Sequence, residues 1–191
     1  MFEYHATAEP LAPQAFLRHP NPSTPSVADA LAKLATCYHE AGHAVMITAH
    51  ELLVIGISIE KREGNWCGGV LYFPLLSEPV NDREFYKMLV AGDLAEQIFT
   101  PNVRQPGRYN PELDQASELA DAISINEDVH LGDLIAELNA EAAAVLVENA
   151  SVMHAIATDL RKYPAIDWHV LSHLEGVVRV APGKNNTAPT A

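Results

Sequence analysis

From Val27 onward, apolar residues return every three or four positions: Val27, Ala30, Leu31, Leu34, Tyr38, Ala41 and Val45. A 3.6-residue repeat puts them on one side, so the spacing predicts an amphipathic helix, N-capped by Ser26 and running to about Leu52. Inside it lies CYHEAGHAV, residues 37–45, with His39 and His43 four apart and Glu40 directly after the first. Positions i and i+4 share a helix face, so both imidazoles can aim a nitrogen at one point and chelate one metal ion. Glu40 points about 100° round from His39, near enough to hold a water without ligating. Zinc lowers the pKa of such a water toward neutrality, which would make Glu40 the general base. The bland alternative is a structural histidine pair. A chain with 9 His and 16 Glu meets the pattern H-E-x-x-H by chance roughly 0.03 times. Context favours the metal: the pattern falls within a strongly amphipathic helix, and carboxylates stand on later predicted helices. Small Ala41 and Gly42 also occupy its middle. Gly42 costs about 1 kcal/mol of helix propensity relative to alanine, which makes sense if another segment packs close against it.

A length of 191 residues suits one domain with tails, and 48% hydrophobic residues can supply a core. The formal net charge of −13 would repel a phosphate backbone, so no nucleic-acid partner is expected. Cys37 and Cys67 form no C-x-x-C pair, which argues against a disulfide framework or thiolate cage and fits a cytoplasmic location. The N-terminus lacks the basic start and apolar run of a signal peptide, and no window is apolar enough for a membrane span. Prolines at 10, 13, 20, 22 and 25 make residues 1–25 a proline-rich flexible arm; residues 181–191 read as a disordered tail. Residues 26–180 form the domain.

VIGISIE and GGVLYFPL, rich in branched and aromatic residues and separated by KREGNWC, read as two strands and a turn. Asn81 and Asp82 start a helix through REFYKMLVAGDLAEQIF, halted at Thr100 and Pro101, and PNVRQPGRYN reads as a loop. Asn110 and Pro111 are a cap and a first-turn proline opening PELDQASELADAI. Residues 132–163 predict one long helix or two in line, and DWHVLSHLEGVV a final short one. The class is mainly α (α+β), with a small β-sheet flanking the helix of the histidines.

The third ligand separates the zinc hydrolases. A metzincin needs glycine and histidine where this chain has Met46 and Ala49, and His50 is one position off. A thermolysin-like E-x-x-x-D is matched by Glu78 and Asp82, but Pro79 and a loop setting make it a poor second. YHEAGHAV, GGVLYFPL, LVAGDLAEQIF, ELDQASELA and VENASVMHAIATDL with IDWHVLSHL occur in an order that resembles the zinc-protease domain of the FtsH-type, membrane-anchored AAA+ proteases, over about residues 30 to 178. The resemblance implies zinc ligands at His39 and His43 and a catalytic base at Glu40. It places Glu112 where that family has a ligating aspartate, Asp114 being the alternative in another register. Both acids also suit a helix N-terminus without any metal. Glu96 matches the family's Ala-Glu pair, orienting a ligand histidine or serving only structure. His169 and His173 share the i, i+4 spacing but have no neighbouring glutamate, and read as helix surface.

In the resembling family the substrate pairs with the edge of the active-site sheet, which here implies the strand of Gly68, Gly69, Val70, Leu71 and Tyr72. No G-x-x-x-x-G-K-[ST] loop occurs, so ATP hydrolysis would belong to a separate ATPase if one is needed. The expected function is a zinc-dependent endopeptidase acting on unfolded protein or peptide. A non-catalytic peptide-binding or adaptor module, and a hydrolase of small amides, stay open. The resemblance suggests a ring of six; a monomer or dimer is equally open.

Overall fold

The computed structural model describes residues 25–73, 80–103, 110–171 and 178. Helix α1 spans Val27–Ala49, and the Ser26 side chain accepts a hydrogen bond from the Asp29 N–H at 3.1 Å, as an N-cap should. Its first two turns are largely exposed. From Ala35 to Ile47 nearly every residue is buried, so the second half of α1 is a central helix rather than an amphipathic one. It ends at Ala49, short of Leu52, because Glu51 takes a left-handed conformation with φ 60° and turns Leu52 into the core.

Strands β1 (Leu53–Arg62) and β2 (Asn65–Phe73) form an antiparallel hairpin. Both are longer than the sequence suggests, since the connection is only Glu63 and Gly64, at φ 51° and 90°. Two positive φ values mark the tight turn whose twist matches its strands, and glycine takes the second without a Cβ penalty. Val54, Ile57 and Ile59 of β1 are buried in the core shared with α1. A third strand, β3 (Ala165–Asp167), pairs antiparallel with β1, giving the order β2-β1-β3. Asp167, expected to open the last helix, is instead in this strand. Among the described residues β2 is therefore an edge of the sheet.

Helix α2 (Asp82–Phe99) is capped by Asn81, whose side chain accepts from the Glu84 N–H at 3.0 Å, and it packs along α1. The close approach expected at Gly42 is real: a Cβ there would lie 2.6 Å from the Ala91 carbonyl oxygen and 2.7 Å from Ala95 Cβ. Helix α3 (Pro111–Glu127) carries one turn more than expected and stops at Asp128, which has a left-handed φ of 54°. The long alanine-rich segment is two helices, α4 (Leu131–Glu148) and α5 (Ala150–Lys162), broken at buried Asn149. The Asn149 amide donates to the Val145 carbonyl at 2.9 Å, competing with helix continuation. Leu138, Leu146, Met153 and Leu160 from these helices are fully buried, each contributing about 1.5–3 kcal/mol of apolar burial. Helix α6 (Trp168–Leu171) ends the described fold, apart from Val178, which packs against the core.

The chain is thus mainly helical with a small three-stranded antiparallel sheet against α1, and no described helix is long and apolar enough to cross a membrane. The proline-rich arm to Thr24, the end of GGVLYFPL from Pro74, Glu78, most of the 101–110 loop, His173 and the C-terminal tail lie outside the described residues. Cys37 and Tyr38 are packing residues. Cys37 is buried, its thiol pushed up to about 11 mainly by that burial, and Tyr38 stacks on Phe99 at 5.4 Å.

Candidate metal centre

One helical turn of α1 presents His39 and His43 side by side, 4% and 7% exposed, with Glu40 between them at 3%. The two Nε2 atoms are 3.1 Å apart. Glu112 Oε2, from the first turn of α3, lies 3.3 Å from His39 Nε2 and 3.1 Å from His43 Nε2. Zinc bonds of about 2.0–2.1 Å in a tetrahedron imply ligand atoms about 3.3 Å apart, so the three donors already stand at the edges such an ion requires. Among the described residues they are also the group of His, Cys, Asp and Glu able to share a metal. Asp114 is exposed and outside the group. The helical repeat turns it away from the face that Ala116, Ala120 and Ile123 bury.

The outer nitrogen of each imidazole is also placed. His43 Nδ1 donates to the Met88 carbonyl at 2.9 Å, and His39 Nδ1 lies 2.9 Å from Glu96 Oε1. With a proton on each Nδ1, both Nε2 lone pairs would face the shared point, the tautomers a metal needs. Glu96 reaches His39 from α2, and Gly92, one turn earlier on the same face, makes room for the rings. A Cβ at Gly92 would lie 2.5 Å from His39 Nε2 and would strike His43 Nε2 as well. Glu40 is turned toward the sheet: a Cβ at Gly68 of β2 would come 2.7 Å from its Oε1. Gly69, Val70, Leu71 and Tyr72 continue the same strand, all partly or well exposed. His169 is exposed and outside the group.

Sequence reasoning missed two contributors. The Met88 carbonyl carries no sequence signal, being backbone. Gly92 left one: a glycine four residues before Glu96 shares its helix face, where a missing side chain leaves space for what Glu96 touches.

Three ligand atoms so close together, all acceptors when deprotonated, favour a bound proton if no cation is present. Burial would lower the His39 pKa, but the hydrogen bonds to Glu112 and Glu96 and the Glu40 charge outweigh it and raise it to about 9. For Glu112, burial pushes the carboxyl up, yet its hydrogen-bonding contacts with His39 and His43 win and hold it well below the usual carboxylate range. A folded-state pKa raised from 6.5 to about 9 gives stability that is complete below pH 6.5 and lost as pH rises through 9. The depressed Glu112 carboxyl acts in the opposite sense, its contribution disappearing as pH falls into the acid range. Chelator-treated protein should therefore lose stability, on the order of 2 kcal/mol, between pH 7 and 9. Urea unfolding at these pH values measures the loss. Zinc held by the same three atoms would replace the proton, so zinc-loaded protein should show little of this decline; equal slopes would refute the protonated-histidine account.

In comparisons with known proteins, no protein-family model matches this chain and no curated protein is significantly similar to it.

Proposed function

We propose that this chain is a zinc-dependent endopeptidase, built like the protease domain of the FtsH-type family and acting on unstructured polypeptide. The observation that carries the reading is the tetrahedral spacing of His39 Nε2, His43 Nε2 and Glu112 Oε2 beside a buried glutamate that abuts a sheet edge. When bound, zinc would supply Lewis-acid polarisation of a scissile carbonyl and acidify an attacking water. His39, His43 and Glu112 would hold the ion, and Glu96 and the Met88 carbonyl would keep the imidazole tautomers correct.

Glu40 takes a proton from the water as its oxygen adds to the carbonyl carbon. The same carboxyl then delivers that proton to the amine nitrogen as the C–N bond breaks, so the products are a carboxylate and a new amino terminus. β2 supports the substrate side of the reading. Among the described strands it pairs with β1 alone, and Asn65–Phe73 contains neither proline nor charge to block an added strand. Only extended segments can pair this way.

The test is incubation of the zinc-loaded chain, without ATP, with a protein held unfolded and with the same protein folded. Cleavage confined to the unfolded form is expected. Stoichiometric zinc with no cleavage of either would remove the peptidase reading and favour a peptide-binding module.

A further inference from the structure

We propose that Asn110 is a positioning residue that sets the metal affinity of the centre by fixing Glu112; the inference rests on reading that centre as a zinc site. The three ligands are held differently. The histidine side chains are 4% and 9% exposed, with the Glu96 carboxylate and the Met88 carbonyl each 2.9 Å from an outer ring nitrogen, whereas the Glu112 side chain is 39% exposed. Packing therefore does little to hold the glutamate. Its first buried neighbour along α3 is Ala116, a full turn further on, so among the described residues no buried side chain of the helix's own first turn backs Glu112.

What holds that end is local. The Asn110 side-chain oxygen accepts the Glu112 backbone N–H at 3.1 Å, tying the cap to the ligand-bearing residue itself. Pro111 occupies the first helical position with its φ already suited to the helix. The Leu113 N–H to Asn110 carbonyl bond, 3.2 Å, closes the first turn. Without the cap the first turn frays, and displacement of Glu112 moves its carboxylate from a point where donors sit 3.1 and 3.3 Å away.

Asn110→Ala should weaken zinc binding by roughly tenfold or more, read by competition with a chromophoric chelator, zinc being the only added ligand. Asn110→Asp and Asn110→Ser, which keep an acceptor at the cap, should restore most of the affinity. Asn81→Ala is the matched control, since it removes the same kind of cap from α2, where Glu84 is no ligand. It should lower thermal stability about as much as Asn110→Ala and leave zinc affinity within twofold of the parent. Equal loss of affinity in the two alanine variants, or no rescue by aspartate and serine, would overturn the positioning role. A parent chain that binds no zinc would remove the metal-centre reading and this role with it. Tight binding unchanged by Asn110→Ala would sink this inference alone.

Discussion

Glu40→Gln is expected to reduce peptide-bond cleavage by about 10³-fold or more while zinc binds at unchanged stoichiometry. Glutamine has the shape of glutamate, so the contact that Glu40 makes against Gly68 of β2 is kept. The amide cannot accept a proton from water, which is the step the proposed mechanism assigns to Glu40. The groups that hold the imidazoles and Glu112 include Glu96, the Met88 carbonyl and the Asn110 cap, all of them kept in the variant. Initial rates on an unfolded substrate, with bound zinc measured in the same samples, decide the matter. Turnover in the variant within tenfold of the parent would remove Glu40 from the chemistry.

Gly92→Ala should abolish tight zinc binding, with affinity falling by about 100-fold or more, while the fold survives. Taken alone, alanine in a helix is favoured over glycine by about 1 kcal/mol. Here the new Cβ would lie 2.5 Å from His39 Nε2 and 2.6 Å from His39 Cδ2. The rings must swing out of place or α2 must back away from α1. The second course is resisted because Gly42 is already in close contact with Ala91 and Ala95 on either side of Gly92. Overpacking of this kind costs about 1–3 kcal/mol, which a folded domain can absorb, so the damage should concentrate in the metal site. Gly69→Ala is the control, since nothing lies within 4 Å of a Cβ there. Zinc titration and thermal unfolding of the three proteins give the result. Parent-like affinity in Gly92→Ala would mean the imidazoles relocate freely and that the site is not preorganised.

Much of the candidate site was legible because its information is local. The i, i+4 spacing of His39 and His43 fixes a shared helix face wherever α1 goes, and capping at Ser26, Asn81 and Asn110 depends on residues two or three apart. Helix ends were less legible. Glu51 and Asp128 stop or turn the chain with positive φ, which nothing in their side chains demands.

Three features depended on contacts between distant residues. β3 is three residues long, too short to show a pattern, and exists because β1 offers it a pairing edge. The full burial of α1 from Ala35 onward arises from elements closing around it on every side, which no single-helix periodicity can encode. The choice of Glu112 over Asp114 follows from how α3 lies on α2: Ala116, Ala120 and Ile123 face the core, and that rotation leaves Glu112 toward the histidines and Asp114 in solvent. The sequence by itself thus determined two imidazoles, an adjacent carboxylate and a capped helix bearing two acids. Only the tertiary structure decided which acid meets the imidazoles, because a ligand set is defined by distances of about 3 Å between residues some seventy positions apart.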